Sequence, residues 1–143
     1  MKKKNIFLLL IVLLLVGCKS QKLSCTKDIM KTQEATMDER ISLTFKNKKL
    51  TDTIYSLNYT FADNVDSNVE ISRNALEEQY SIYKNSKGIK YSFSNMDQGL
   101  HFQLEIAKEK LSDEEKETFS NLVNYKTYQD AKEQLIKEGY QCK

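Results

Sequence analysis

Apolar and polar residues alternate with period two in several stretches of this chain, and that rhythm predicts strands with one buried face. The clearest run is Leu100, Phe102, Leu104 and Ile106, which alternate with His101, Gln103 and Glu105. Ile41, Leu43 and Phe45 alternate in the same way with Ser42, Thr44 and Lys46, and Asn47-Lys48-Lys49 follows as a hairpin turn. The run Leu50 to Ala62 then places Tyr55, Leu57, Tyr59 and Phe61 on one face and Ser56, Asn58 and Thr60 on the other. Ile89, Tyr91 and Phe93 predict a further strand, joined to Leu100–Ile106 by a turn at Asn95 to Gly99. Leu23, Cys25 and Ile29 offer a more weakly patterned first strand.

Elsewhere the period lengthens to that of a helix. Val69, Arg73, Leu76, Tyr80 and Tyr83 form one stripe, with Ser67 and Glu70 spaced as a capping box at its start. Asn85-Ser86-Lys87-Gly88 ends the stripe, Gly88 being suited to a turn or C-terminal cap. Ser112 to Glu115 is a second capping box, and Phe119, Leu122 and Val123 supply the buried side of its helix. Thr127 to Asp130 caps a last helix with an inner face of Tyr128, Ala131, Leu135 and Ile136, stopped by Gly139. An α+β domain follows: an antiparallel sheet of about four to five strands, covered by one internal and two C-terminal helices.

The N-terminus follows a different rule. Lys2, Lys3 and Lys4 precede an apolar run from Ile6 to Val16, and Gly17-Cys18 closes it. The run has the length of a signal-peptide core and falls short of the ~20 residues that span a hydrocarbon layer. Leu15-Val16-Gly17-Cys18 resembles the lipobox of bacterial lipoproteins. That resemblance implies a diacylglyceryl thioether on Cys18, with acyl chains such as palmitate, and cleavage just before it. Residues 1–17 would be the signal peptide, 18–22 the lipidated N-terminus and tether, and 23–143 a single domain. The expected location is the cell membrane, lipid-anchored and facing outside the cytoplasm. Two acyl chains hold a protein stably where one holds it only marginally.

Removing the leader changes the charge balance. Three of the 22 basic residues lie in it and no acidic one does, so the remaining chain carries 19 basic against 20 acidic residues, a net charge of −1. A nucleic-acid partner is not expected, since backbone binding needs a clustered positive field. With Cys18 assigned to lipid, Cys25 and Cys142 remain in an oxidising compartment. A structural bridge between them is favoured over two free thiols or a redox pair, because their separation is far from C-x-x-C. Bridged, their Cα atoms would lie roughly 4.4–6.8 Å apart.

The order of several short motifs, Cys25-Thr26, Lys87-Gly88-Ile89 and Asp97-Gln98-Gly99-Leu100, resembles the YehR-like family of small bacterial lipoproteins. The ending is similar too, from Thr127-Tyr128-Gln129-Asp130-Ala131 through Glu138-Gly139-Tyr140-Gln141-Cys142-Lys143. The resemblance implies a small α+β domain with a terminal disulfide, and it supplies no catalytic residue.

Candidate chemistry is sparse. His101 is the one histidine and sits on the polar face of a predicted strand, with no G-x-S-x-G elbow to accompany it. One histidine and committed cysteines leave too few ligands for zinc. Asp63, Asp66 and Asn68 lack the spacing of a calcium loop and suit a helix start better. Asp113, Glu114, Glu115 and Glu117 suit helix capping better than the opposed carboxylates of a glycosidase. Tyr55, Tyr59, Tyr80 and Tyr83 are read first as the core edge between helix and sheet, with a recognition surface as the alternative. No catalytic, cofactor or metal residue is assigned. The expected function is a non-catalytic binding or interaction module for a protein or envelope partner. A small-molecule or peptide carrier is the alternative, distinguished by a single apolar pocket, and a cell-envelope hydrolase comes last.

Overall fold

A computed structural model describes residues 20–143. One six-stranded antiparallel sheet forms from β1 (Ser20–Lys31), β2 (Ala35–Lys46), β3 (Lys49–Phe61), β4 (Ile89–Met96), β5 (Gly99–Ala107) and β6 (Gln141–Cys142). Its spatial order is β4-β5-β3-β2-β1-β6. Among the described residues four α-helices accompany it: α1 (Val65–Tyr80), α2 (Asp113–Thr118), α3 (Ser120–Val123) and α4 (Tyr128–Lys137). The α+β class is as the patterning predicts, with one strand more than expected. The extra strand is β6, whose two residues are too few to show any alternation.

Pairing explains which residues are buried. Across β2, β3 and β5 the partners Ile41, Tyr55 and Leu104 share a row, as do Leu43, Thr53 and Ile106. Leu104, Phe102, Leu100, Leu43, Phe45 and Leu23 are at most 1% exposed. The helices close over this face: Tyr80 lies 4.9 Å from the Phe102 ring, Tyr128 lies 6.0 Å from Phe45, and the buried Thr53 hydroxyl donates to the Leu122 carbonyl at 2.9 Å. The opposite face carries Arg40, Ser42, Asn58, Gln103 and Glu105 and is mainly polar, with Ile54 exposed among them, as one-sided cover allows.

The β2–β3 hairpin turns on Asn47 and Lys48, both at positive φ (51° and 67°), which matches the twist of the flanking strands. At the β4–β5 turn, Gly99 is dictated by contact: a Cβ there would stand 1.7 Å from the Tyr59 carbonyl oxygen.

Helix boundaries depart from the pattern in three places. Ser67 is not the cap of α1; the helix starts at Val65 after Asn64, which takes the left-handed conformation, and Ser67 lies inside the first turn. Asn tolerates that conformation, so the chain can enter the helix directly after β3. Gly88 is not a helix cap either. The helix has ended at Tyr80, and Gly88 is needed because a Cβ would stand 2.9 Å from the Leu111 nitrogen. The helix expected from Ser112 breaks at Phe119 into α2 and α3, giving three C-terminal helices instead of two. Its capping box is present, with Ser112 and Glu115 bonding reciprocally. Ile136, expected on the inner face of α4, is 51% exposed, whereas Ala131 and Leu135 are fully buried. Gly139, at φ 92°, ends α4 as a Schellman turn: its N–H donates to Ile136 and that of Tyr140 to Leu135.

Candidate functional site

Glu39 is the residue around which the site forms. β2 runs back to Ala35, well before the Ile41 at which its apolar alternation begins. Continuing that alternation puts Glu39 and Met37 on the same face as Ile41, Leu43 and Phe45. Glu39 is thus a half-buried carboxylate on the face that the helices cover. A charge there needs partners. The Tyr55 hydroxyl, one row over on β3, donates to one carboxylate oxygen at 2.8 Å, and the Tyr140 hydroxyl donates to the other. Tyr140 arrives from beyond the Gly139 turn, so the end of α4 aims it at β2.

A cleft of about 380 Å³ opens over this group. Its floor is Glu39, Ile41 and Tyr55, between the helix α1 on one side and α4 on the other. Tyr80, Tyr83 and Gln79 wall it from the end of α1, Phe119 and Asn121 from the α2–α3 break, and Tyr140 and Glu138 from the end of α4. Tyr83 meets Phe119 edge-on at 5.1 Å, which ties two of these walls together. The lining contains two carboxylates and no lysine or arginine.

The tyrosine hydroxyls are held protonated. Burial, then the hydrogen bond to Glu39 and its negative charge, push Tyr55 and Tyr140 far above the ordinary tyrosine range. Burial raises Tyr80 as well, reinforced by its neighbours Tyr59 and Tyr83. With their protons committed to Glu39, the Tyr55 and Tyr140 hydroxyls have only acceptor capacity left for a ligand. The site therefore offers acceptors and aromatic area, and its negative charge is set back in the floor.

Of the residues singled out from the sequence, Tyr55, Tyr80 and Tyr83 come together here. Tyr59 does not line the cleft and stacks on Phe61 at 6.3 Å. Cys25 and Cys142 form a disulfide, joined across β1 and β6 as a directly opposed pair. Their Cα separation of 4.0 Å is shorter than the range expected for bridges in general. Lys143 donates to the Ser24 carbonyl beside them, so they occupy a non-hydrogen-bonded position of the ladder, where opposed residues sit nearest. Cys18 lies outside the described residues. His101 is on the polar face, its Nδ1 2.6 Å from the Asn58 side-chain oxygen, in line with Asp38 across three strands. Asp63, Asp66 and Asn68 surround the start of α1, where the Asn68 amide donates to the Asp63 carbonyl. Asp113, Glu114 and Glu115 form the first turn of α2.

Glu39, Tyr140, Gln79 and Glu138 were not legible as site residues. Glu39 alone carried a signal, since extending the period of Ile41, Leu43 and Phe45 two residues back places it on the core face.

No family model matches the chain, and no curated protein matches it. Solved structures that resemble it include the NMR structure of the Escherichia coli YehR protein, at 14% identity and a TM-score of 0.63, covering 89% of this chain and 93% of that one. The NMR structure of a protein from Streptococcus pneumoniae TIGR4 is similar at 11% identity and a TM-score of 0.59, covering 89% and 87%. The likeness is one of fold, and the YehR-like fold expected from the motif order is present.

Proposed function

We propose, on this YehR-like fold, that the chain is a membrane-anchored extracytoplasmic lipoprotein serving as a non-catalytic binding module, with the Glu39 cleft as its binding site. The anchor rests on the lipobox at Leu15 to Cys18 and on the disulfide, which suits an oxidising compartment. The binding role rests on one observation. Both oxygens of Glu39 are taken by tyrosyl hydroxyls, which stay protonated at neutral pH, so the group best placed for proton transfer is already engaged.

The volume of the cleft is that of a small-ligand site, at the low end of the ~300–1,000 Å³ such pockets span. This favours a small solute or the end of a larger ligand over the flat face of a protein. Two carboxylates, tyrosyl oxygens in the lining and no basic residue call for a ligand that donates hydrogen bonds, an ammonium group above all.

The test compares three probes of one shape, phenethylammonium, 2-phenylethanol and phenylacetate, by their shifts of the cleft tyrosine resonances in NMR. The ammonium should bind about tenfold more tightly than the alcohol, the scale of one charge-assisted hydrogen bond. Glu39→Gln and the exposed Glu138→Gln should each reduce that preference. Equal or tighter binding of phenylacetate would refute an acceptor-lined site.

A further inference from the structure

The basic residues of the chain are unevenly placed, and the fold gathers many of them at the end from which the N-terminus leaves. Ser20 pairs with Lys46, so the chain enters the sheet beside the β2–β3 turn. Cys18 is two residues earlier, at most ~7 Å of extended chain from that point. Asp52 pairs with Ala107, which brings the end of β5 and the following 3-10 turn Lys108–Lys110 to the same edge. Lys46, Lys49 and Lys110 line one shallow cleft there, and Lys49, Lys108, Lys116 and Lys126 line the adjoining one. Lys48 stands at the exposed tip of the turn. Against the six lysines of the two linings stand the carboxylates Asp52 and Glu109, Asp52 lying 4.0 Å from Lys46. Lys116 is also 3.0 Å from Asp113, outside both clefts.

The far end has the opposite sign. There Glu34, Asp63, Asp66 and Asp97 stand against Lys31, about 40 Å away along the twelve residues of β1. That is several times the ~8 Å Debye length at physiological salt, so the two ends act independently on a nearby surface. The net charge of −1 conceals this arrangement, because attraction to a surface depends on the end that faces it.

We infer that the lysine end is a seat for anionic lipid: the anchor holds it within a Debye length of the headgroups, and it docks the domain upright with the Glu39 cleft raised above the bilayer. Cys18 acylation, proposed above, is the premise of this geometry. Each lysine near an anionic leaflet contributes on the order of 1 kcal/mol. Partial burial, then the charge of Lys116, lower the pKa of Lys108 below the ordinary lysine range.

The full chain, processed in a bacterial host and purified in detergent, is reconstituted on vesicles of phosphatidylcholine alone or with about one-third phosphatidylglycerol. Lysine acetylation by an activated ester is then read by mass spectrometry. Lys46, Lys48, Lys49, Lys108 and Lys110 should react several-fold more slowly on the anionic vesicles, with Lys31 at the far end unchanged. The protection should vanish in 1 M salt, where the Debye length is ~3 Å. The triple variant Lys48→Glu, Lys49→Glu and Lys110→Glu, all at exposed positions, should lose the slowing at Lys46 and Lys108. Equal rates on both vesicles would overturn the seat and leave the anchor standing. Flotation with anionic vesicles alone would overturn the anchor and leave the seat, and flotation with neither would overturn both.

Discussion

Removal of the Cys25–Cys142 disulfide by the double substitution Cys25→Ala and Cys142→Ala tests how the ends of the fold are held. The bridge closes a loop of 117 residues, and loop-closure entropy for that length corresponds to about 4.9 kcal/mol of destabilisation of the unfolded chain. Measured losses run below this value, because the reduced unfolded chain keeps some structure, so about 3–4 kcal/mol is expected. That is a large share of the ~5–15 kcal/mol typical of a domain. In urea, with a slope of ~1–3 kcal/mol per molar, the midpoint should fall by about 2 M. The unaltered protein in reductant should show the same fall, which separates loss of the bond from any packing cost at the fully buried Cys25. A local effect should accompany the global one. β6 is two residues long, and Tyr140, which binds Glu39, immediately precedes it. Amide exchange at Tyr140 should therefore accelerate beyond the global change. A midpoint unchanged with and without reductant would refute the reasoning, showing that the bridge pins only a fraying end.

Leu104→Ala, at a fully buried site flanked by Tyr55 and Tyr91 on neighbouring strands, should cost ~2–5 kcal/mol, read as a lower thermal midpoint; a surface-sized loss would mean that the core row is misassigned. Cys18→Ala should abolish incorporation of labelled fatty acid and block processing, and undiminished labelling would remove the lipobox. Alkaline titration followed by tyrosine absorbance should find Tyr125 ionising at about 12 and Tyr55 and Tyr140 later still. Because these pKa values are raised on folding, the stability they confer is fully present below pH ~10 and is lost as pH climbs toward the folded values. A denaturation midpoint that holds steady from pH 10 to 12 would contradict it.

Local periodicity determined the class of this fold. Strands with one apolar face and helices with one apolar stripe cannot each bury their side alone, so an α+β layer follows from the sequence, and β5 and α4 were legible because every other or every fourth residue agreed. The positions of Gly139 and of the Ser112 capping box were legible for the same reason, since each satisfies backbone groups within a few residues. The tertiary structure decided what depends on distant partners. β6 exists only because Cys142 reaches Cys25, and Gly88 and Gly99 are required by backbone that approaches from Leu111 and Tyr59. The site is the strongest case. The period of Ile41, Leu43 and Phe45 carries Glu39 onto the core face, but nothing local shows that a carboxylate there will find partners. Glu39 became a cleft floor because Tyr55 and Tyr140, the latter 101 residues away, supply the two hydroxyls that a half-buried carboxylate needs. The lysine end has the same origin: strand register, invisible in composition, sets Lys46 beside Ser20 and Lys108 to Lys110 on the same edge. Sequence order specifies each strand, but the charge at an end of a sheet is the sum over strands, and only their pairing fixes that sum.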